Sequence, residues 1–141
     1  MIEKKGSAKW SGGLKDGRGS VSTESGVLKD QTYGFRKRFE GEAGTNPEEL
    51  IAAAHASCFS MALSLVLGQK DLVPDEIATT ATVSLEKQDS GFAITKVHLD
   101  VTARIPGADE AAFMEAANGA KQNCPVSKLL NAEITMDARL A

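Results

Sequence analysis

Apolar and polar positions change their period along this chain, and each change predicts a different element. The run Leu50 to Leu67 is apolar almost all round, interrupted by His55, Ser57, Ser60 and Ser64, which predicts a long helix covered by other structure rather than one with a single wet face. Its start is well marked. Asn46 can cap, Pro47 suits the first turn, and Glu49 stands three residues after Asn46 like the acid of a capping box. Gly68 can end the helix, which then measures roughly 30 Å at about 1.5 Å per residue.

Further on the period drops to two. Ile77, Thr79, Ala81, Val83 and Leu85 alternate with Ala78, Thr80, Thr82, Ser84 and Glu86, as in a half-buried strand. Asp89-Ser90-Gly91 supplies a turn, and Ala93, Thr95, Val97, Leu99, Val101, Ala103 and Ile105 alternate with polar neighbours in a return strand. Pro106-Gly107 breaks the hairpin. Phe113, Ala116, Ala117 and Ala120 then fall at helical spacing within Asp109 to Gln122, a short helix is expected from Pro125 to Asn131, and Ile134, Met136, Ala138 and Leu140 alternate in a last strand. The first 44 residues read as short β segments punctuated by glycines. Within them, Tyr33 to Glu40 is expected to be a strand with Tyr33, Phe35, Lys37 and Phe39 on one face and Arg36 and Arg38 together on the other. These elements combine into a single α+β domain, residues 1–141, with antiparallel sheets wrapped around a long buried central helix. So apolar a helix needs more cover than one small sheet gives, so a homodimer is expected.

Composition narrows the function classes. A net charge of −3 with basic and acidic residues interspersed gives no footprint for nucleic acid. The serines and histidine in Leu50–Leu67, after a soluble-type cap, argue for a core helix and against a membrane span. Met1-Ile-Glu-Lys-Lys-Gly-Ser has no apolar run behind its lysines, so a secretory signal is not expected and a cytoplasmic address follows. There, two cysteines point to free thiols or transient redox chemistry, or to two buried small hydrophobes, rather than to a lasting disulfide.

The two thiols, Cys58 and Cys124, occupy different settings. Within an apolar helix Cys58 should have a raised pKa and be inert, unless a guanidinium from Arg36 or Arg38 reaches it. Cys124 precedes Pro125 at a helix start, where the dipole favours a thiolate, so local physics makes it the easier nucleophile. His55, at i−3 from Cys58, invites a Cys-His nucleophile, as in a hydrolase, though a histidine among alanines is more often a core residue. His98 lies on a polar strand face and is expected to be solvated. Two cysteines and two histidines could in principle ligate zinc, but no short-spaced ligand pair is present. Glu48 and Glu49 complement the helix dipole; the sharper reading is that one of them fixes the arginine that activates Cys58. Glu48 lies about 15 Å up the axis from Cys58, so an acid working at the sulfur would come from a second subunit's helix.

Thr45-Asn-Pro-Glu-Glu-Leu-Ile-Ala-Ala-Ala-His-Ala-Ser-Cys-Phe-Ser-Met-Ala-Leu-Ser, with Val21-Ser-Thr-Glu-Ser-Gly-Val-Leu, Gly34-Phe-Arg-Lys-Arg-Phe-Glu-Gly, Gly91-Phe-Ala-Ile-Thr-Lys and Cys124-Pro-Val-Ser, closely resembles the OsmC branch of the OsmC/Ohr superfamily. The resemblance implies a thiol peroxidase of peroxiredoxin type, active in oxidative and osmotic stress defence and built as an intertwined homodimer with sites at the subunit interface. It implies Cys58 as the peroxidatic residue, Cys124 as its resolving partner through a Cys58-Cys124 disulfide, and Glu48 as the active-site acid. Arg38 is favoured over Arg36 as the activating arginine, with Arg18 of Leu14-Lys15-Asp16-Gly17-Arg18, where the Ohr branch carries its arginine, as a lesser candidate. No metal, flavin or other cofactor is implied. The substrates would be organic hydroperoxides and, more weakly, hydrogen peroxide, reduced to alcohols, with an external dithiol, of dihydrolipoyl type, restoring the enzyme. Phe39, Phe59 and Met61 are candidates to line an apolar entrance. The competing readings are a redox sensor, or a dimer binding an apolar ligand without turnover.

Overall fold

Glycine 19 lets two aromatic rings close over a strand. In the computed structural model, which describes residues 1–141, β1 (Gly6–Ser11), β2 (Arg18–Thr23) and β3 (Gln31–Tyr33) form an antiparallel sheet in that order. Gly19 is in register with Trp10 on one side and Tyr33 on the other, and their ring centroids stand 5.7 Å apart. A Cβ at Gly19 would come within 2.6 Å of the Tyr33 ring and 2.7 Å of Trp10, so only glycine fits.

The strand expected through Tyr33–Glu40 stops at Tyr33. Phe35–Phe39 is a helical turn, α1. An apolar pair four residues apart satisfies both a period of two and a helical period; here the Phe35 and Phe39 rings meet at 5.0 Å. Gly41, with φ of 70°, follows as the left-handed residue that ends such a turn. Arg36 and Arg38 therefore do not share a face. Two helical residues apart, they diverge by roughly 200°.

Helix α2 (Pro47–Gly68) has the expected bounds, and the Glu49 amide donates to Asn46 Oδ1 at 2.8 Å. The chain divides into two units, Met1–Leu50 and Ile51–Ala141. In the second unit α2 is not covered all round: only His55, Phe59, Leu63 and Leu67 are buried, while Met61 and Leu65 are 78% and 66% exposed. By length and composition α2 could cross a membrane, but its buried stripe lies in the core of this unit. Two of its serines are bonded. Ser57 Oγ donates to the Ala54 carbonyl at 3.0 Å, and Ser60 Oγ lies 2.8 Å from Thr79 Oγ1.

The core partners of that stripe come from β4 (Glu76–Gln88), β5 (Gly91–Arg104) and α3 (Glu110–Asn123). β4 and β5 form the expected hairpin, with a bulge at Ser84/Leu85 that pairs Leu85 with Ile94. Beyond it Ile94, rather than Thr95, shares Leu85's face. On β5, Val97, Leu99, Val101 and Ala103 are buried in strict alternation, and on α3 so are Phe113, Ala116, Ala117 and Ala120. Asp109 caps α3, accepting from the Ala112 amide at 2.7 Å. α4 (Pro125–Leu129) leads into β6 (Glu133–Leu140).

The expectation of wholly antiparallel sheets is corrected at this last strand. β6 pairs with β5 in parallel, from Lys96↔Glu133 to Ala103↔Leu140. Two helices separate these strands, and a connection of that length carries the chain back to the start of the sheet, as parallel pairing requires.

Phe59, a candidate for an apolar entrance, is fully buried beside Leu63 and Leu67. Phe59→Ala is expected to destabilise the fold by about 3–5 kcal/mol, measured by denaturant unfolding. A variant of undiminished stability but altered peroxide preference would place Phe59 at a substrate entrance instead.

Candidate active site

Two helix ends bring the cysteines together. Pro125, at the first position of α4, makes Cys124 its N-cap, with extended backbone at φ −61° and ψ 138°. The Ser127 amide donates to Cys124 Sγ at 3.4 Å, and Ser127 Oγ lies 3.2 Å from the same sulfur. Cys58, half-buried on α2, packs against the core cluster that holds Cys124, with the Val126 amide and the Cys124 thiol near enough to act on its protonation. The α4 start thus presents successive groups to both sulfurs.

Burial pushes the Cys58 thiol above its ordinary pKa; the Val126 amide opposes this, and the hydrogen bond and charge interaction with Cys124 reinforce it. Both cysteines are free thiols. The sequence ranking of the two as nucleophiles is reversed by access, because Cys124 is fully buried and Cys58 is not. A solvent-borne oxidant meets Cys58 first.

His55 does not pair with Cys58. It is fully buried, its Nε2 lies 2.7 Å from Ser127 Oγ, and its Nδ1 has no partner. Desolvation lowers its pKa, so it stands neutral. A Cys-His nucleophile is not formed. Ser127 is the residue that sequence reasoning passed over; its signal was a serine three positions after Cys124, where its amide closes the cap and its hydroxyl faces His55 on α2. His98 is partly exposed on its strand face, and both its nitrogens have partners on β6: Nδ1 lies 2.7 Å from Thr135 Oγ1 and Nε2 3.2 Å from Asp137 Oδ2. No three His, Cys, Asp or Glu side chains converge as a metal site would need.

In the first unit the candidate acid and arginine form a pair. Arg38 Nε donates to Glu48 Oε1 and Oε2 at 3.0 and 3.2 Å, and Nη2 donates to Oε1 at 2.7 Å. Glu48 is only 12% exposed, so this forked bond holds the guanidinium better than an ordinary surface pair would. Arg38 also stacks over Phe39 at 5.2 Å. Glu49 is exposed. The arginine candidates separate by cleft. Arg18 and Arg36 line a cleft of about 320 Å³ with Lys15, Lys37 and Glu42, whereas Arg38 lines an apolar one of about 220 Å³ with Trp10, Leu14, Tyr33, Phe35 and Phe39. Of the three entrance candidates, Phe39 alone lines this cleft.

A half-buried thiol packed beside a buried one in the second unit, and a forked Arg-Glu pair next to an aromatic cleft in the first, are the features of a cysteine-based redox protein. Residues 39–139 match the family described as OsmC-like protein, and the chain belongs to that family. It is 60% identical over 139 residues to Peroxiredoxin OsmC of Escherichia coli (strain K12), covering 99% of this chain and 97% of that one. Its fold is similar to the crystal structure of the organic hydroperoxide resistance protein OhrB of Bacillus subtilis, with TM-score 0.70, 27% identity, and 96% and 98% of the two chains covered. The structure of an organic hydroperoxide resistance protein from Elizabethkingia anophelis is likewise similar, with TM-score 0.75, 27% identity, and 100% and 98% coverage.

Proposed function

We propose that this protein is a thiol-dependent peroxidase that reduces organic hydroperoxides to alcohols. The observation that carries the reading is the juxtaposition of Cys58 and Cys124, packed together at the core of the second unit, because a thiol already beside the sulfur it will attack needs no rearrangement to form the disulfide. The Cys58 thiolate attacks the peroxide's distal oxygen, the O–O bond breaks, and the alkoxide leaves and takes up a proton to become the alcohol. Cys58 is now a sulfenic acid. Cys124 forms a bond to its sulfur, the hydroxyl departs as water, and a disulfide remains. An external dithiol, of the dihydrolipoyl type, returns both thiols by exchange.

Cys58 needs a cation, since burial holds it protonated. Arg38 is assigned that role, with Glu48 fixing its guanidinium, and the aromatic cleft beside Arg38 suits the organic part of a hydroperoxide better than hydrogen peroxide. The protein is one OsmC-like domain over residues 1–141, works in the cytoplasm, and pairs with a second copy as an intertwined homodimer whose sites take groups from both subunits. The exposed Met61 and Leu65, one turn apart on α2, support the dimer. Light scattering should give twice the chain mass, and Met61→Lys with Leu65→Lys should lower it to the monomer; a monomeric native protein would remove the dimer.

The function is tested by intact mass and thiol count of reduced protein after one equivalent of cumene hydroperoxide. Loss of both thiols as an intramolecular disulfide, followed by dithiol-supported turnover, is expected. Oxidation without turnover under any dithiol would leave a sensor, and two unreacted thiols a binding protein.

A further inference from the structure

Beyond the two cysteines, a hydrogen-bonded line runs from the resolving sulfur into the core. Cys124 Sγ lies 3.2 Å from Ser127 Oγ, which lies 2.7 Å from His55 Nε2. These groups sit on α4 and on α2, one turn before Cys58, and His55 is fully buried with Nδ1 unpartnered. A packing role alone does not explain an imidazole here. The stripe it shares with Phe59, Leu63 and Leu67 would accept a leucine, whereas a buried ring with one unpaired nitrogen is costly.

We propose that Ser127 is a catalytic residue of the resolving step, relaying the Cys124 proton to His55, the positioning residue behind it, as Cys124 attacks the Cys58 sulfenic acid. This rests on the peroxidase reading above. In the resting state the Cys124 S–H donates to Ser127 Oγ, and the Ser127 O–H donates to His55 Nε2, with the imidazole's own proton on Nδ1. As the S–S bond forms, the thiol proton moves to Ser127 and the hydroxyl proton moves to His55. The Cys58 S–O bond breaks, the departing hydroxide takes the proton now on Ser127 Oγ and becomes water, and His55 Nε2 returns the hydroxyl proton to Ser127. Atoms and charge balance: two sulfurs are joined, one water leaves, and Ser127 and His55 end as they began. During transfer the thiolate accepts from both the Ser127 amide and hydroxyl, two donors already within 3.4 Å of the sulfur. Neutral and desolvated, His55 holds the proton only in passing.

The relay predicts a kinetic split that a structural role would not produce. Reduced full-length protein is mixed with one equivalent of cumene hydroperoxide, and sulfenic acid and disulfide are followed by quench and intact mass. In Ser127→Ala, sulfenic acid formation on Cys58 should stay near the native rate, while disulfide formation slows roughly tenfold to hundredfold, the scale of a lost proton-transfer group. Ser127→Thr, which keeps the hydroxyl, should recover most of the rate. His55→Gln, which leaves the contacts of Cys124 intact, should also slow resolution selectively. Native-rate resolution in both Ser127→Ala and His55→Gln, or equal slowing of both steps, overturns the relay. Native protein that forms neither sulfenic acid nor disulfide removes the peroxidase reading, and the relay falls with it.

Discussion

Cys58→Ser is expected to lower hydroperoxide consumption by about 10⁴-fold or more, the scale on which removal of a nucleophile acts, while Cys124→Ser still reduces a single equivalent and then stops. The asymmetry follows from position. Cys58 is the thiol that solvent reaches, and Cys124 is fully buried, so on the proposed mechanism Cys124 meets only the product of the first step. In Cys124→Ser the sulfenic acid on Cys58 should therefore persist, be trapped by a sulfenic-acid reagent, and proceed to the sulfinic acid under excess peroxide. Mass spectrometry reads each species directly. Single-equivalent reduction by Cys58→Ser, with Cys124 oxidised, would exchange the two roles.

Arg38→Met is expected to slow sulfenic acid formation by about 10²–10³-fold, comparable to removing a preorganised charge-stabilising donor. The native rate should rise with pH, because the attacking species is the thiolate and burial raises the Cys58 pKa. Loss of the guanidinium should move that rise to still higher pH, since it removes the cation proposed to favour the charged form and leaves only the Val126 amide. Arg38→Lys should not restore the rate, because a single ammonium cannot reproduce the fork that Glu48 holds through Nε and Nη2. Glu48→Gln should cost less, as its amide oxygen still accepts one bond. A native rate and unshifted pH profile in Arg38→Met would pass the role to Arg18 or Arg36, which line the neighbouring basic cleft.

Much of this molecule could be read from local pattern. Asn46 and Pro47 start α2 where they should because capping is decided within a few residues. The alternation of Val97, Leu99, Val101 and Ala103 told the core face of β5, and the spacing of Phe113, Ala116, Ala117 and Ala120 that of α3, because one-sided burial imposes its period on the residues. The errors fell where two periods coincide or where partners are distant in sequence. Phe35 and Phe39 fit a strand and a helix equally well, and the stacking of their rings decided for the helix. The alternation of β6 said that it was a strand but was silent on its direction, which the crossover through α3 and α4 sets.

The candidate chemistry divides in the same way. Residue types and spacing singled out two thiols, the arginine pair Arg36 and Arg38, and the acid pair Glu48 and Glu49, and the resemblance to the OsmC branch chose Arg38 and Glu48 among them. Which of them touch was decided only by folding. Arg38 meets Glu48 because α1 turns where a strand would have run on, and Cys58 meets Cys124 because the start of α4 packs beside α2. The same packing buries Cys124, overturning its ranking by local electrostatics, and sets Ser127 between that sulfur and His55. Solvent access and a hydrogen bond across 72 positions of chain, from His55 to Ser127, are properties of the tertiary structure, since they depend on which surfaces are brought together and not on any residue's neighbours in sequence.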